Sequence, residues 1–175
     1  MELMTPRLIL REFTLEDEPA VHAYASDEAV IRYTDWGPNT VEDTKEFFRE
    51  TFESAALEPR ASYMLAITLP QGPLVGGVRL GITSRADHAA DFGYVIDAKY
   101  WGQGIATEAT KRLVAFGFDE LDLHRIYATC HPENIGSARV LEKSGFQLEG
   151  RLRDDKFVRG AWRDSLLYAI SEKAK

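Results

Sequence analysis

The stretch that most constrains this chain is a strand, a glycine turn and a helix in immediate succession. Residues 91–112 read Asp-Phe-Gly-Tyr-Val-Ile-Asp, then Ala-Lys-Tyr, then Trp-Gly-Gln-Gly-Ile-Ala-Thr-Glu-Ala-Thr-Lys-Arg. The first seven residues suit a buried strand, and Ile105, Ala109, Leu113 and Phe116 share one face of a helix over about 104–120. Gly102 and Gly104 have no Cβ, so the backbone between them can turn sharply and approach a ligand closely. The first N–H groups of the helix lack internal partners and the macrodipole is positive there, so the turn suits an anion. The reading is a pyrophosphate cradle, and the alternative is a tight turn and nothing more. A Walker phosphate loop is excluded, because no Gly-Lys-Ser/Thr follows at the required spacing. A dinucleotide fingerprint fits less well: Asp122 lies at the expected distance, but Thr107 replaces the third glycine and no series of βαβ units surrounds the motif.

A chain of 175 residues, 45% of them hydrophobic, forms one domain with a sizeable core over 1–175. Its single cysteine, Cys130, excludes an internal disulfide and a cysteine-cluster metal site, and no metal is expected. No apolar run is long enough to span a membrane and the first residues are no signal peptide, so a cytoplasmic location is expected. Twenty-one basic and 28 acidic residues leave a net charge of −7, which argues against nucleic acid as the main ligand and tolerates a cationic one.

Along the chain, residues 7–13 alternate as a half-buried strand, with Leu8 and Leu10 on one face. Thr14-Leu-Glu-Asp17 and Thr40-Val-Glu-Asp43 are capping patterns that predict helices over about 15–26 and 41–57. Tyr33 and Trp36 lie between them and either line a ligand cleft or close over the core. Residues 63–69 and 74–82 form an antiparallel hairpin across Pro70-Gln-Gly-Pro73, with a bulge marked by Gly76 and Gly77. The strand at 124–130 follows the glycine-turn helix, so a right-handed crossover makes it parallel to the strand before the turn. Asn134 caps the next helix, Gly145 ends it, and residues 146–152 and 165–171 are closing strands joined by a long polar connection.

Four motifs then stand in order: Thr5-Pro-Arg-Leu-Ile-Leu-Arg11, Tyr100-Trp-Gly-Gln-Gly-Ile-Ala-Thr-Glu108, Asn134-Ile-Gly-Ser-Ala-Arg-Val-Leu-Glu-Lys-Ser-Gly-Phe146 and Trp162-Arg-Asp164. On these the chain resembles the GNAT superfamily of acyltransferases, and within it the Rim-type group that includes N-terminal acetyltransferases of ribosomal proteins. The resemblance implies an α/β fold with a twisted, mostly antiparallel sheet of about seven strands, a central splayed parallel pair, and helices on both faces. It implies acetyl-CoA as co-substrate, a primary amine as acceptor, and commonly a homodimer, though no heptad here demands one. The family's cofactor signature is Gln/Arg-x-x-Gly-x-Gly/Ala, and Lys99 departs from its first position. Carried over, Lys99, Gly102, Gln103, Gly104, Ile105, Ala106 and Thr107 hold the pyrophosphate, Tyr94, Val95 and Ile96 run beside the pantetheine arm, and Asn134 contacts that arm as well as capping its helix.

Direct attack of an amine on the thioester needs a neutral amine, an oxyanion donor and a proton for the departing thiolate. Asp91 is the first candidate for the base and His88 the second, with Glu53 or Glu58 as further possibilities. Where many relatives have a tyrosine acid this chain has Leu141, and Ser137 aligns with a serine of the Rim-type group, so Ser137 is the expected acid. Backbone N–H groups near Tyr94 and Val95 are the implied oxyanion donors. Cys130 in a core-like strand reads as a small hydrophobe rather than a nucleophile. The leading expectation is acetyl transfer to a protein N-terminus; the rivals are a small-molecule amine acceptor, a non-catalytic acetyl-CoA-binding module, and a dinucleotide oxidoreductase.

Overall fold

The middle strands decide the architecture, because they are apolar on both faces. In β3 (Ser62–Thr68), Leu65 and Ile67 enter one core while Ala66 enters another, with Met64 packed against the second. A strand so patterned needs cover on both sides. The computed structural model describes residues 1–172 and supplies it: the larger core lies under α4 (Ile105–Asp119) and α5 (Ile135–Lys143), and the smaller under α1 (Glu18–Ala25) and α3 (Val41–Ala55). In the smaller core Phe13 meets Phe47 and Phe48 edge-on, with ring centroids 5.5 and 5.8 Å apart.

The sheet has eight strands in the order β1-β2-β3-β4-β5-β6-β8-β7, where β1 is Glu2–Met4, β2 Ile9–Glu12, β4 Leu74–Ser84, β5 Ala89–Ile96, β6 Arg125–Cys130, β7 Gln147–Val158 and β8 Ala161–Ser171. All neighbours are antiparallel except β5 and β6. That pair is in register only from Ala89 opposite Arg125 to Asp91 opposite Tyr127, and then the strands separate. Each is held away from the other by its outer neighbour: β5 stays on β4 as far as Gly76 opposite Ile96, and β6 stays on β8 as far as Cys130 opposite Leu166. A largely antiparallel sheet with one short parallel pair also removes the doubly wound dinucleotide-binding fold.

Several expectations shift. The first edge strand, β1, went unread because three residues carry no period. The expected helix at 15–26 is a 3-10 turn, Leu15–Asp17, followed by α1, and a short α2 (Glu28–Ile31) precedes the loop that carries Tyr33 and Trp36. Asp17 keeps the expected capping role, its Oδ2 accepting from Thr14 N–H at 2.8 Å, and the Arg11 fork also reaches both of its oxygens at 2.7 and 2.8 Å. The register shift in the β3–β4 hairpin lies beside Gly76, between the Ile67–Gly76 and Thr68–Leu74 pairs. The largest correction concerns residues 153–164, expected as a long connection. They continue both closing strands to a two-residue turn, Arg159-Gly160, with φ of 49° and 82°. Two positive φ values in succession match the twist of a tight hairpin. The strands were missed because β7 is solvated along nearly its whole length, so hydrophobic alternation never appears.

Gly76 sets how closely β4 and β5 approach, since a Cβ there would collide with the carbonyl oxygen of Val95. Gly76→Ala is therefore expected to destabilise the protein by about 1–3 kcal/mol through forced backbone displacement, measured by urea denaturation; an unchanged midpoint would show that β5 yields without cost.

Candidate active site

Strand separation creates the site. Asp97 N–H donates to Val75 O at 2.9 Å, which makes that pair hydrogen-bonded in the β4–β5 ladder. Alternation then turns the N–H and C=O groups of Gly93 and Val95 toward β4, and those of Phe92, Tyr94 and Ile96 toward the edge that β6 has left. The N–H of Tyr94 accordingly faces the gap, and that of Val95 does not, which narrows the two expected backbone donors to one. The Ile96 carbonyl is taken by the Trp101 indole N–H at 2.8 Å.

Just beyond the end of β5 the chain turns through Ala98–Tyr100 into the glycine turn, where Gly102 and Gly104 have φ of 75° and 77°. The first bond into α4 runs from Glu108 N–H to Gly104 O, 3.0 Å. Among the described residues no acceptor pairs with the N–H groups of Gly102, Gln103, Gly104, Ile105, Ala106 or Thr107. Six donors at the positive end of a fifteen-residue helix can receive a multiply charged anion. Lys99 is exposed beside this turn, and its backbone N–H is held by Asp97 Oδ1 at 3.0 Å.

The turn is fastened from behind by the chain's first residues, a contact that sequence reading missed. Glu108 accepts from the Thr5 hydroxyl (2.6 Å), the Arg7 backbone N–H (3.0 Å) and Arg7 Nε (2.7 Å), while Arg7 Nη1 donates to Gln103 O at 2.9 Å. Burial would raise the Glu108 carboxyl, but these donors outweigh it and hold it below the ordinary glutamate range.

The gap between β5 and β6 opens into a cavity of about 780 Å³ that passes from the α5 side of the sheet to the α3 side. Asp91, Tyr94, Val95, Asn134, Ser137, Tyr33 and Trp36 all line it. Asn134 caps α5, its Oδ1 accepting from Ser137 N–H at 3.0 Å, and its amide donors have no partner among the described residues. The Ser137 hydroxyl stands among the Tyr94 phenol and the Cys130 thiol. Burial pushes Tyr94 up to about 12 and Cys130 up to about 11, and hydrogen bonding with Ser137 partly offsets both. Cys130 is thus kept as a thiol, in agreement with its reading as a small hydrophobe.

Asp91 occupies the point where the strands part, ion-paired with Arg79 across the β4–β5 ladder. His88 lies outside the cavity lining: it is half-exposed in a turn with φ of 49°, and its Nδ1 lies 2.6 Å from Asp122 O. Glu53 is on the outer face of α3, paired with Arg49, and Glu58 is exposed beyond the helix end. The structure instead brings Asp43, Glu46 and Glu50 of α3 to the cavity wall, together with Lys156 and Arg163 from β7 and β8. Their helical spacing of three and four could have been noticed in the sequence; Lys156 and Arg163 could not, because the hairpin carrying them was unread. No group of three or more metal-ligating side chains occurs among the described residues, and none of their helices is long and apolar enough to cross a membrane.

Glu108→Ala is expected to lower stability by about 1.5–3 kcal/mol at neutral pH and to weaken coenzyme A binding several-fold, read by denaturation and calorimetry. Because the folded carboxyl lies below its unfolded value of about 4.3, that contribution is complete above pH ~4.3 and fades as pH falls through the folded value. Wild type and variant should therefore converge in acid; a constant difference down to pH ~2 would contradict the grip.

The chain is similar to known proteins along nearly its whole length. A model of the acetyltransferase (GNAT) domain matches residues 7–147. An uncharacterized N-acetyltransferase of Bacillus subtilis, YnaD, is 35% identical over 99% of this chain and 98% of its own length. The spermidine N(1)-acetyltransferase of Escherichia coli is 28% identical over 92% of this chain and 84% of its own length. A solved structure of RimL, a ribosomal L7/L12 α-N-protein acetyltransferase in complex with coenzyme A, superposes with a TM-score of 0.85 over 98% of both chains; at 23% identity it speaks for the fold alone. The phosphate-ready turn, the free strand edge and these matches agree: the chain belongs to the GNAT family and is an acetyl-CoA-dependent N-acetyltransferase.

Proposed function

We propose that the acceptor is the α-amine of a protein N-terminus, the substrate of the Rim-type group that the sequence resembles. The observation that carries this reading is the state of Asp91. Asp91, where β5 and β6 part, is already engaged by Arg79, and among the described residues no histidine lines the cavity, whose one carboxylate without a partner, Glu50, belongs to the α3 wall. Such a site suits an amine that needs little help to lose its proton. An α-amine with a pKa near 8 costs under ~1 kcal/mol to neutralise at pH ~7.5, whereas an alkylamine near 10.4 costs about 4 kcal/mol.

In this reading the backbone of residues 102–107 holds the pyrophosphate of acetyl-CoA, Lys99 adds charge beside it, and the arm runs along Tyr94 and Ile96 past Asn134. The amine enters from the α3 side past Tyr33 and Trp36. Asp91, through the oxygen not engaged by Arg79, takes the amine proton directly or through a water. The Tyr94 N–H stabilises the oxyanion as the C–N bond forms, and the C–S bond then breaks as the Ser137 hydroxyl passes its proton to the sulfur and takes one from solvent, to which Asp91 gives up the amine proton. Ser137→Ala should lower kcat by ~10²–10⁴-fold with little change in acetyl-CoA affinity; unchanged turnover would remove the hydroxyl from the reaction.

A second reading, a small polycationic amine, is supported by the α3 wall, where Glu50 has no partner among the described side chains and Asp43 and Glu46 stand nearby. The two separate by experiment: free-thiol release from acetyl-CoA with peptides beginning Ser, Ala or Met, and with spermidine, across pH 6–10. The N-terminal reading predicts release with peptides that rises with pH and levels off above ~8. Release with spermidine alone, still climbing toward pH ~10, would replace it with the small-amine reading.

A further inference from the structure

The loop that carries Tyr33 and Trp36 is built around a side chain from the far end of the sequence. Arg159, at the tip of the β7–β8 hairpin, directs its guanidinium into four backbone carbonyls of this loop. Nη2 reaches Ile31 O at 3.1 Å, Trp36 O at 2.7 Å and Gly37 O at 3.1 Å, and Nη1 reaches Thr34 O at 3.2 Å. These oxygens converge on one cation, and the planar fork of arginine is suited to hold several at fixed angles. Two further ties run between the same elements or beside them: Lys156 of β7 pairs with Asp35 of the loop, and Tyr33 stacks on His131 with centroids 5.1 Å apart. The hairpin tip is itself stiffened by the cross-strand pair Phe157 and Trp162, centroids 5.4 Å apart.

Arg159 is not part of the cavity wall, whereas residues 33–39 of the loop are. Its influence on an acceptor must therefore pass through the loop. We propose that Arg159 is a positioning residue for acceptor binding: by gathering the carbonyls of residues 31–37 it locks the loop against the hairpin and sets the acceptor-side wall of the cavity. The proposal rests on the reading that the amine enters from that side. Nothing in it requires the acetyl-CoA half of the site, which lies on β5, α4 and α5.

Removing the guanidinium leaves four carbonyls without this donor and frees the loop to open. Lysine restores the charge as a point donor and cannot span all four oxygens, so it should rescue only partly. The test has two readouts on the full chain. The first is amide hydrogen exchange over residues 31–37, which needs no acceptor. The second is steady-state kinetics of thiol release with a peptide beginning Ser and with spermidine, whichever supports release. For Arg159→Ala the expected results are exchange at least tenfold faster in 31–37, an acceptor KM raised at least tenfold, and an acetyl-CoA KM within twofold of wild type. Arg159→Lys should fall between. If the alanine variant loses its cooperative thermal transition, the lysine variant and Arg159→Gln are measured in the same way. Exchange within twofold of wild type would overturn the clasp, and faster exchange with an unchanged acceptor KM would overturn its role in acceptor binding. Absence of release with every amine would count instead against the reading of the acceptor, because the exchange experiment stands without it.

Discussion

A backbone that has lost its ladder must find other partners, and that requirement organises this molecule. After Asp91 and Tyr127, β5 and β6 stop pairing although both strands continue. Polar groups of Tyr94 and Ile96 are left along an inner edge of the sheet, where unpaired backbone is costly. The protein meets part of that demand itself through the Trp101 indole, and leaves part for a ligand whose amides can pair with a strand edge. The split costs little because each strand is secured on its other side, β5 to β4 and β6 to β8. The two helices that follow the parted strands, α4 and α5, then begin beside the same gap.

Much of this was legible in the sequence, and for a clear reason. The glycine turn, the crossover helix and the Asn134 cap are local features whose chemistry requires particular residue types, so residues 91–112 and 134–146 read directly into structure. Resemblance supplied what periodicity could not, namely that the parallel pair is splayed and that the co-substrate is acetyl-CoA. Illegible features depended on partners distant in sequence. Glu108 reads as an ordinary first-turn carboxylate, yet it fixes the glycine turn through Thr5 and Arg7, about a hundred residues away. Asp91 reads as a free base and is tied to Arg79. Residues 153–164 read as a loop because solvated strands lack an apolar period, although Arg159-Gly160 between Phe157 and Trp162 was a hairpin signal available to view.

The two halves of the site are built by different physics. The glycine-turn side of the gap offers backbone: N–H groups of the turn with no partner among the described residues, a helix terminus and a parted strand edge, none of which is made by the side chain of Lys99. The rest of the cavity wall carries side chains of both signs, Asp35 with Lys156, Asp91 with Arg79, and Arg163, whose guanidinium burial brings below its ordinary range. A backbone site is common to a family, and a side-chain site can be rewritten one residue at a time. Relatives that share this fold are described as acting on a ribosomal protein and on spermidine, which accords with such a division.

The central proposal is that the parted edge of β5 and the glycine turn act together as the coenzyme site. Amide hydrogen exchange followed by NMR, with and without saturating coenzyme A, tests that most directly. Strong slowing is expected at the N–H groups of Tyr94 and Ile96 and across residues 102–107, with Gly93 and Val95 changed little because their N–H groups already face β4. Protection elsewhere, with Tyr94 and the turn unaffected, would place the coenzyme somewhere other than the gap and overturn this assignment.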